Sequence, residues 1–312
     1  MRTNQRNKSL DIARGICIFL IVLSHSYCSW DSWFTFYYVQ VFFFLSGIFF
    51  NSSHTLETYL YKKVKSLIFP YLFFGMICSI FVLVTKRTSI ENIHMYDPDS
   101  FDNGPQWFLI ALFTLTIILL SFNQIGKRYI SIAGSILIFI ICYFLGLKHI
   151  DDYTNLTKAG ISIPFILIGT YYLKIEKILK QYKYLLLFIS VIICYIFVEI
   201  YPVNIGIRWL ILPQNPIVYL LSSIAGIGFI LSVSYIVERL KIVNHIFSLW
   251  GAYSLFILCI HWPIIRVLYD KLLPPAMKTD IVSILICIII CTIASYINVL
   301  LRTLKKYLFN KN

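Results

Sequence analysis

A chain of 312 residues that is 59% hydrophobic and 17% aromatic but only 13% charged is too apolar for an ordinary water-soluble domain. Its apolar runs recur along the whole length, so residues 1–312 read as a single integral-membrane domain, all-α, with no separate soluble domain. The formal net charge of +13 raises nucleic acid as a partner, and the placement of those charges argues against it.

A span needs roughly 20 apolar residues to cross about 30 Å of hydrocarbon. Runs and breaks predict about ten transmembrane helices, near 11–30, 34–50, 64–85, 107–123, 129–147, 159–174, 182–200, 216–236, 247–268 and 280–301. The first follows basic residues, as a signal peptide does. It shows no small-residue cleavage site and is too long for an apolar signal core, so it is expected to be retained. With the N-terminus inside, the inner segments hold 18 of the Lys and Arg residues and the outer ones 8, and Arg14 completes the 27. That asymmetry is the positive-inside pattern, so the charge sets topology, both termini are expected in the cytoplasm, and no nucleic-acid partner is expected. The expected location is the cell (inner, cytoplasmic) membrane, with the lipid bilayer as a partner.

The stretch "RGICIFLIVLSH" in the first span carries Arg14 and His25 with ten residues between them. Eleven steps are close to three turns, so both side chains leave one face, roughly 16 Å apart along the axis. An Arg, Lys or Asp near the centre of a span costs ~2.5–3.5 kcal/mol or more on insertion scales and a neutral histidine less, so such residues face the bundle interior or a cavity. One reading has Arg14 reaching headgroups and His25 bonded to a neighbouring helix. The other has Arg14 holding a phosphate-bearing donor and His25 acting as a base.

Further along, the outer loops are longer and richer in acids. Residues 86–106 carry Glu91, Asp97, Asp99 and Asp102, and 201–216 hold Arg208 and Trp209 in a semi-apolar segment expected to dip back into the bilayer rather than stand in water, as backbone is tolerated there where it lines a cavity. No internal repeat of the transporter kind is visible. Of 8 cysteines, most lie within spans and none has metal-site or disulfide-framework spacing, so no metal is expected.

"SLDIARGICIFLIVLSHS" resembles the opening helix of the acyltransferase-3 family of integral-membrane O-acyltransferases. "FFFLSGIFF" (42–50), "KKVKSLIFPYLFF" (62–74), "PQWFLIALF" (105–113), "IPFILIGTYYL" (163–173) and "LWGAYSLFILCIH" (249–261) are similar to further family motifs in the same order. The tryptophan-led fourth helix is most like the fucose 4-O-acetylase-like branch. That branch often has His-Met-Pro where this chain reads Tyr38, Val39 and Gln40, which touches the acceptor pocket rather than the chemistry. The resemblance implies an O-acetyltransferase that uses cytoplasmic acetyl-CoA and modifies a hydroxyl of a cell-envelope carbohydrate, such as O-antigen, capsule, exopolysaccharide or a lipid-linked precursor.

On that reading His25 is the base or an acyl relay, and Arg14 binds a phosphate of coenzyme A. Lys62, Lys63 and Lys65 either meet the same phosphates or only lipid headgroups. Ser46 and Gly47 either let a pantetheine arm pass or serve close helix packing. Trp107 is an interfacial anchor or a stacking platform for a sugar, with Gln106 and Asn103 as hydrogen-bonders. Tyr38, Ser254 and His261 are further acceptor-site candidates; His261 follows Ser254 by about two turns and lies at nearly the depth of His25. Pro263 is expected to bend its helix. A transporter or flippase of an envelope sugar precursor has the same spans and buried charges, and differs in needing no acyl donor. A non-catalytic sensor or scaffold of the same fold is disfavoured by the intact Arg/His pair.

Overall fold

Backbone in hydrocarbon must satisfy its own polar groups, which restricts a spanning chain to helices or a closed barrel. The computed structural model is built of helices and describes residues 7–50, 56–85, 88–124 and 128–309. Arg2, Arg6, Lys86, Arg87, Lys127 and Lys311 of the charge pattern lie outside the described residues.

In chain order the helices are α1 (Lys8–Ser24), α2 (Tyr38–Ile48), α3 (Leu56–Lys63), α4 (Phe69–Val84), α5 (Trp107–Gln124) and α6 (Arg128–Leu147). They are followed by α7 (Leu156–Gln181), α8 (Lys183–Tyr195), α9 (Pro216–Val237), α10 (Lys241–Ala252), α11 (Ser254–Val267) and α12 (Asp280–Phe309). A π-helical turn, Val64–Ile68, joins α3 to α4. Among the described residues there is no sheet, only an isolated bridge between Gly206 and Ile211.

Among the described residues seven helical stretches are long and apolar enough to cross a membrane, and the bent pair α10–α11 makes eight if it is one span. The sequence led us to expect about ten, and the difference has local causes. α1 has 17 residues and stops at Ser24, where Ser24 and Ser26 turn their hydroxyls back onto the Ile21 and Leu23 carbonyls. A short turn at Asp31–Trp33 follows, so α2 starts only at Tyr38 and has 11 residues. The expected span 247–268 breaks at Tyr253, where α10 and α11 meet at 82°. That bend lies well before Pro263, which sits within α11.

α1 is buried on nearly every side: Leu10, Ile12, Ala13, Cys17, Ile18 and Val22 are each 2% exposed or less. A helix apolar all round belongs in an interior, and α1 touches α2, α9, α10, α11 and α12. Small residues let two backbones approach at its crossing with α10: a Cβ on Gly15 would strike the Phe247 backbone, and one on Gly251 the Asp11 carbonyl. The α2–α7 crossing repeats the device, with Gly47 over the Ile166 carbonyl and Gly169 over that of Phe44. Gly47 is thus a packing residue between α2 and α7.

Candidate active site

A cavity of about 620 Å³ runs beside α1, walled by α2, the start of α5, α11, the turn at 66–67 and the loop at 205–209. Arg14 and His25 both line it. Ile18 and Ile21 lie on the same wall between them, as one helical stripe requires.

At the Arg14 end, the guanidinium is 3.6 Å from the buried Asp11 carboxylate, one turn earlier on the helix. It also lies over the Phe49 ring at 4.3 Å. An acid on one side and an aromatic face on the other hold the planar cation in place. Phe50 meets Tyr59 edge to face at 5.6 Å, which brings α3 to this end. Ser66, exposed, and Leu67, buried, complete the wall here.

At the other end His25 caps α1, its backbone N–H reaching the Val22 carbonyl. Its ring stacks on His261 (5.4 Å, 20°) and meets the edge of Trp262 (4.6 Å, 80°). His261 Nδ1 is 3.0 Å from the carbonyls of both Ile257 and Leu258. Carbonyls only accept, so Nδ1 carries the proton and Nε2 presents a lone pair. That Nε2 is buried without a hydrogen-bond partner among the described residues.

Beyond the two histidines the wall is charged and aromatic. Arg208 pairs with Asp99, and its guanidinium lies over Trp209 (4.6 Å) and Trp262 (5.8 Å). Arg266 bonds Asp102 at 2.8 Å and covers Trp262 at 5.8 Å. Burial draws the Arg208 guanidinium down to about 10, so it stays charged at neutral pH. Its aim comes from a tight loop: Gly206 and Ile211 exchange two backbone hydrogen bonds around the turn at Ile207–Trp209, and Leu210 closes it in the left-handed region at φ 53°. Gly104 leaves the room that Arg208 occupies.

The other candidates divide. Ser46, Tyr38, Trp107 and Ser254 line the cavity with Arg14 and His25. Tyr38 Oη lies 3.2 Å from Ser24 Oγ, within hydrogen-bond reach, and Trp107 is 7% exposed with the Lys158 ammonium 5.7 Å from its ring. Such burial makes Trp107 a wall of the cavity and not an exposed interfacial anchor. Gly47, Lys62, Lys63, Lys65, Gln106 and His261 are not on the wall. Lys62 and Lys65 are exposed and Lys63 half-buried on the turns leading to Ser66. Gln106 is fully buried, both its amide atoms without a partner among the described residues. His261 is fully buried behind His25.

Sequence reasoning did not single out Trp262, Arg266 or Asp99 as site residues. Trp262 directly follows His261, and that adjacency was the one available signal. Asp99 and Arg208 are brought together only by the fold.

A family model described as an acyltransferase domain matches residues 7–300 of the chain. No curated protein and no solved structure matches it.

Proposed function

The chain belongs to the acyltransferase-3 family, and from that premise we propose that it moves an acetyl group from acetyl-CoA to a hydroxyl of a cell-envelope carbohydrate. One observation carries the reading: Arg14 and His25, on one stripe of α1, line the same cavity, whose wall continues past His25 to an aromatic and charged far end.

Coenzyme A approaches from the Arg14 end, taken as the cytoplasmic side. Arg14 holds a phosphate, with Lys62, Lys63 and Lys65 adding positive charge on the neighbouring turns. The pantetheine arm lies along Ser46, Phe42 and Ile18 and brings the thioester to His25. The acceptor comes from the Trp209 end. His25 takes the hydroxyl proton as the oxygen attacks the thioester carbonyl; the C–S bond breaks and the thiolate recovers the proton from His25. An acetyl-His25 relay gives the same products in two displacements.

Arg14→Ala is expected to raise the KM for acetyl-CoA by at least tenfold, a charge-assisted contact being worth about 1.5–3 kcal/mol. Arg14→Lys should restore it only in part, since an ammonium lacks the planar fork. An unchanged dependence on acetyl-CoA in both variants would remove Arg14 from the donor site. The reading as a whole is tested by mass analysis of envelope polysaccharide from cells with and without the gene. A loss of 42 Da increments, about one acetyl each, supports the chemistry; identical glycans sink it.

A further inference from the structure

A second cavity, of about 340 Å³, opens beside the first and shares four wall residues with it: Asp99, Trp107, Arg208 and Trp209. Three of its aromatic side chains face outward: Trp209 is 60% exposed, Tyr153 70% and Tyr96 47%. The Tyr96 and Tyr153 rings meet at 4.2 Å, tilted by 52°, and form a bent platform from sequence positions far apart. Large rings left exposed at the rim of a cavity mark a contact surface. A tyrosine or tryptophan offers a rigid apolar face with a polar tip, which suits the C–H face and hydroxyl edge of a pyranose.

The charges decide which kind of sugar. Asp97, Asp99, Asp151 and Asp152 line this cavity with Lys158, Arg208 and His149, an excess of two carboxylates over the lysine and arginine. Lys158 is bound to Asp151 at 2.7 Å and Arg208 to Asp99, so both cations are already neutralised. A carboxylate or phosphate on the ligand would displace one of these pairs and face the two remaining acids, and like charges brought together cost affinity. Asp152 is committed to the start of α7, accepting from the Leu156 N–H at 2.9 Å and the Thr154 hydroxyl at 2.7 Å, which fixes its charge in place. The fourth acid, Asp97, accepts from the Asp99 N–H at 3.0 Å, so all four carboxylates are held at fixed positions on the wall.

We propose that this second cavity seats uncharged sugar residues flanking the one that is acetylated, so that the acceptor is a neutral oligosaccharide and not a monosaccharide or an anionic glycan. The proposal rests on the acetyltransferase reading for what happens next door, but the cavity itself is open to a binding measurement that needs no catalysis.

The test is a glycan array probed with the detergent-solubilised full chain, carrying oligosaccharides in pairs that differ only in a uronate or phosphate group, beside the matching monosaccharides. Binding is expected on neutral oligosaccharides, weaker on their anionic partners and weakest on monosaccharides. Tyr153→Ala should lower affinity by about threefold to tenfold, the scale of one aromatic contact, and Tyr153→Phe should restore it. Anionic glycans bound as well as neutral ones, monosaccharides bound as well as oligosaccharides, an unmoved profile in Tyr153→Ala, or no bound glycan at all would each overturn the proposal. A thermal shift of the native protein with acetyl-CoA reads the donor side separately. Loss of that shift with glycan binding intact would count against the transferase and leave the glycan cavity standing.

Discussion

Replacing His25 with alanine is expected to cut acetyl transfer by about 10²–10⁴-fold, the usual contribution of a positioned general base, while the protein still inserts and accumulates. The second half of that expectation comes from packing. The His25 ring is half-buried on a cavity wall, stacked on His261 and edged by Trp262, and it follows the last turn of α1 rather than filling its core. Truncation there enlarges an existing cavity and leaves the α1 backbone contacts in place. A protonated imidazole has no lone pair, so transfer by the native protein should also decline in acid and return at neutral pH. Membrane yield, acetyl-CoA turnover and labelled product measured on one preparation check all three. A variant that accumulates normally and transfers acetate at the native rate would remove His25 from the chemistry.

Gly251→Leu is expected to have the largest effect on folding. Its Cβ would lie on the Asp11 carbonyl, which is backbone and cannot rotate away. α10 must then move off α1, the helix that carries Arg14, His25 and the Asp11 that pairs with Arg14. Overpacking a tight interface costs typically 1–3 kcal/mol, and a backbone collision belongs at or beyond the upper end. At 1–2 kcal/mol cellular abundance already changes several-fold. We therefore expect a several-fold drop in membrane yield and a lower melting temperature, measured by fluorescence-detected size exclusion over a temperature series. Gly251→Ala, which adds only the Cβ, should fall between. Native yield and melting temperature in Gly251→Leu would show that the crossing is looser than its geometry.

The long apolar runs of α4 to α9 and α12 were legible because nothing in them competes with a spanning helix. α1, α2 and the α10–α11 bend were harder, since Cys28, Trp30, Trp33, Phe34 and Phe36 keep the connecting segment as apolar as a helix. α1 ends at Ser24, in a segment where Ser24 and Ser26 turn their hydroxyls onto carbonyls, and hydropathy does not register that. The pairing of Arg14 and His25 on one wall was legible because it follows from helical repeat alone. The far end of the site was not. Asp99 meets Arg208 across 109 residues of chain, and Arg266 meets Asp102 across 164. No local pattern encodes pairings of that range. Gly47 read first as a packing residue and second as a passage for the donor, and the position of the Ile166 carbonyl against it favours packing.

The most direct measurement uses the purified protein in lipid vesicles with acetyl-CoA labelled in the acetyl group and a glycan fraction extracted from cells lacking the gene. Label is expected to pass to the glycan as an ester released by mild alkali, and His25→Ala vesicles should stay unlabelled. Glycan that crosses the vesicle membrane without acquiring label, or equal labelling by the native and His25→Ala proteins, would contradict a tunnel in which one helix presents a phosphate-holding cation and a proton acceptor to the same donor.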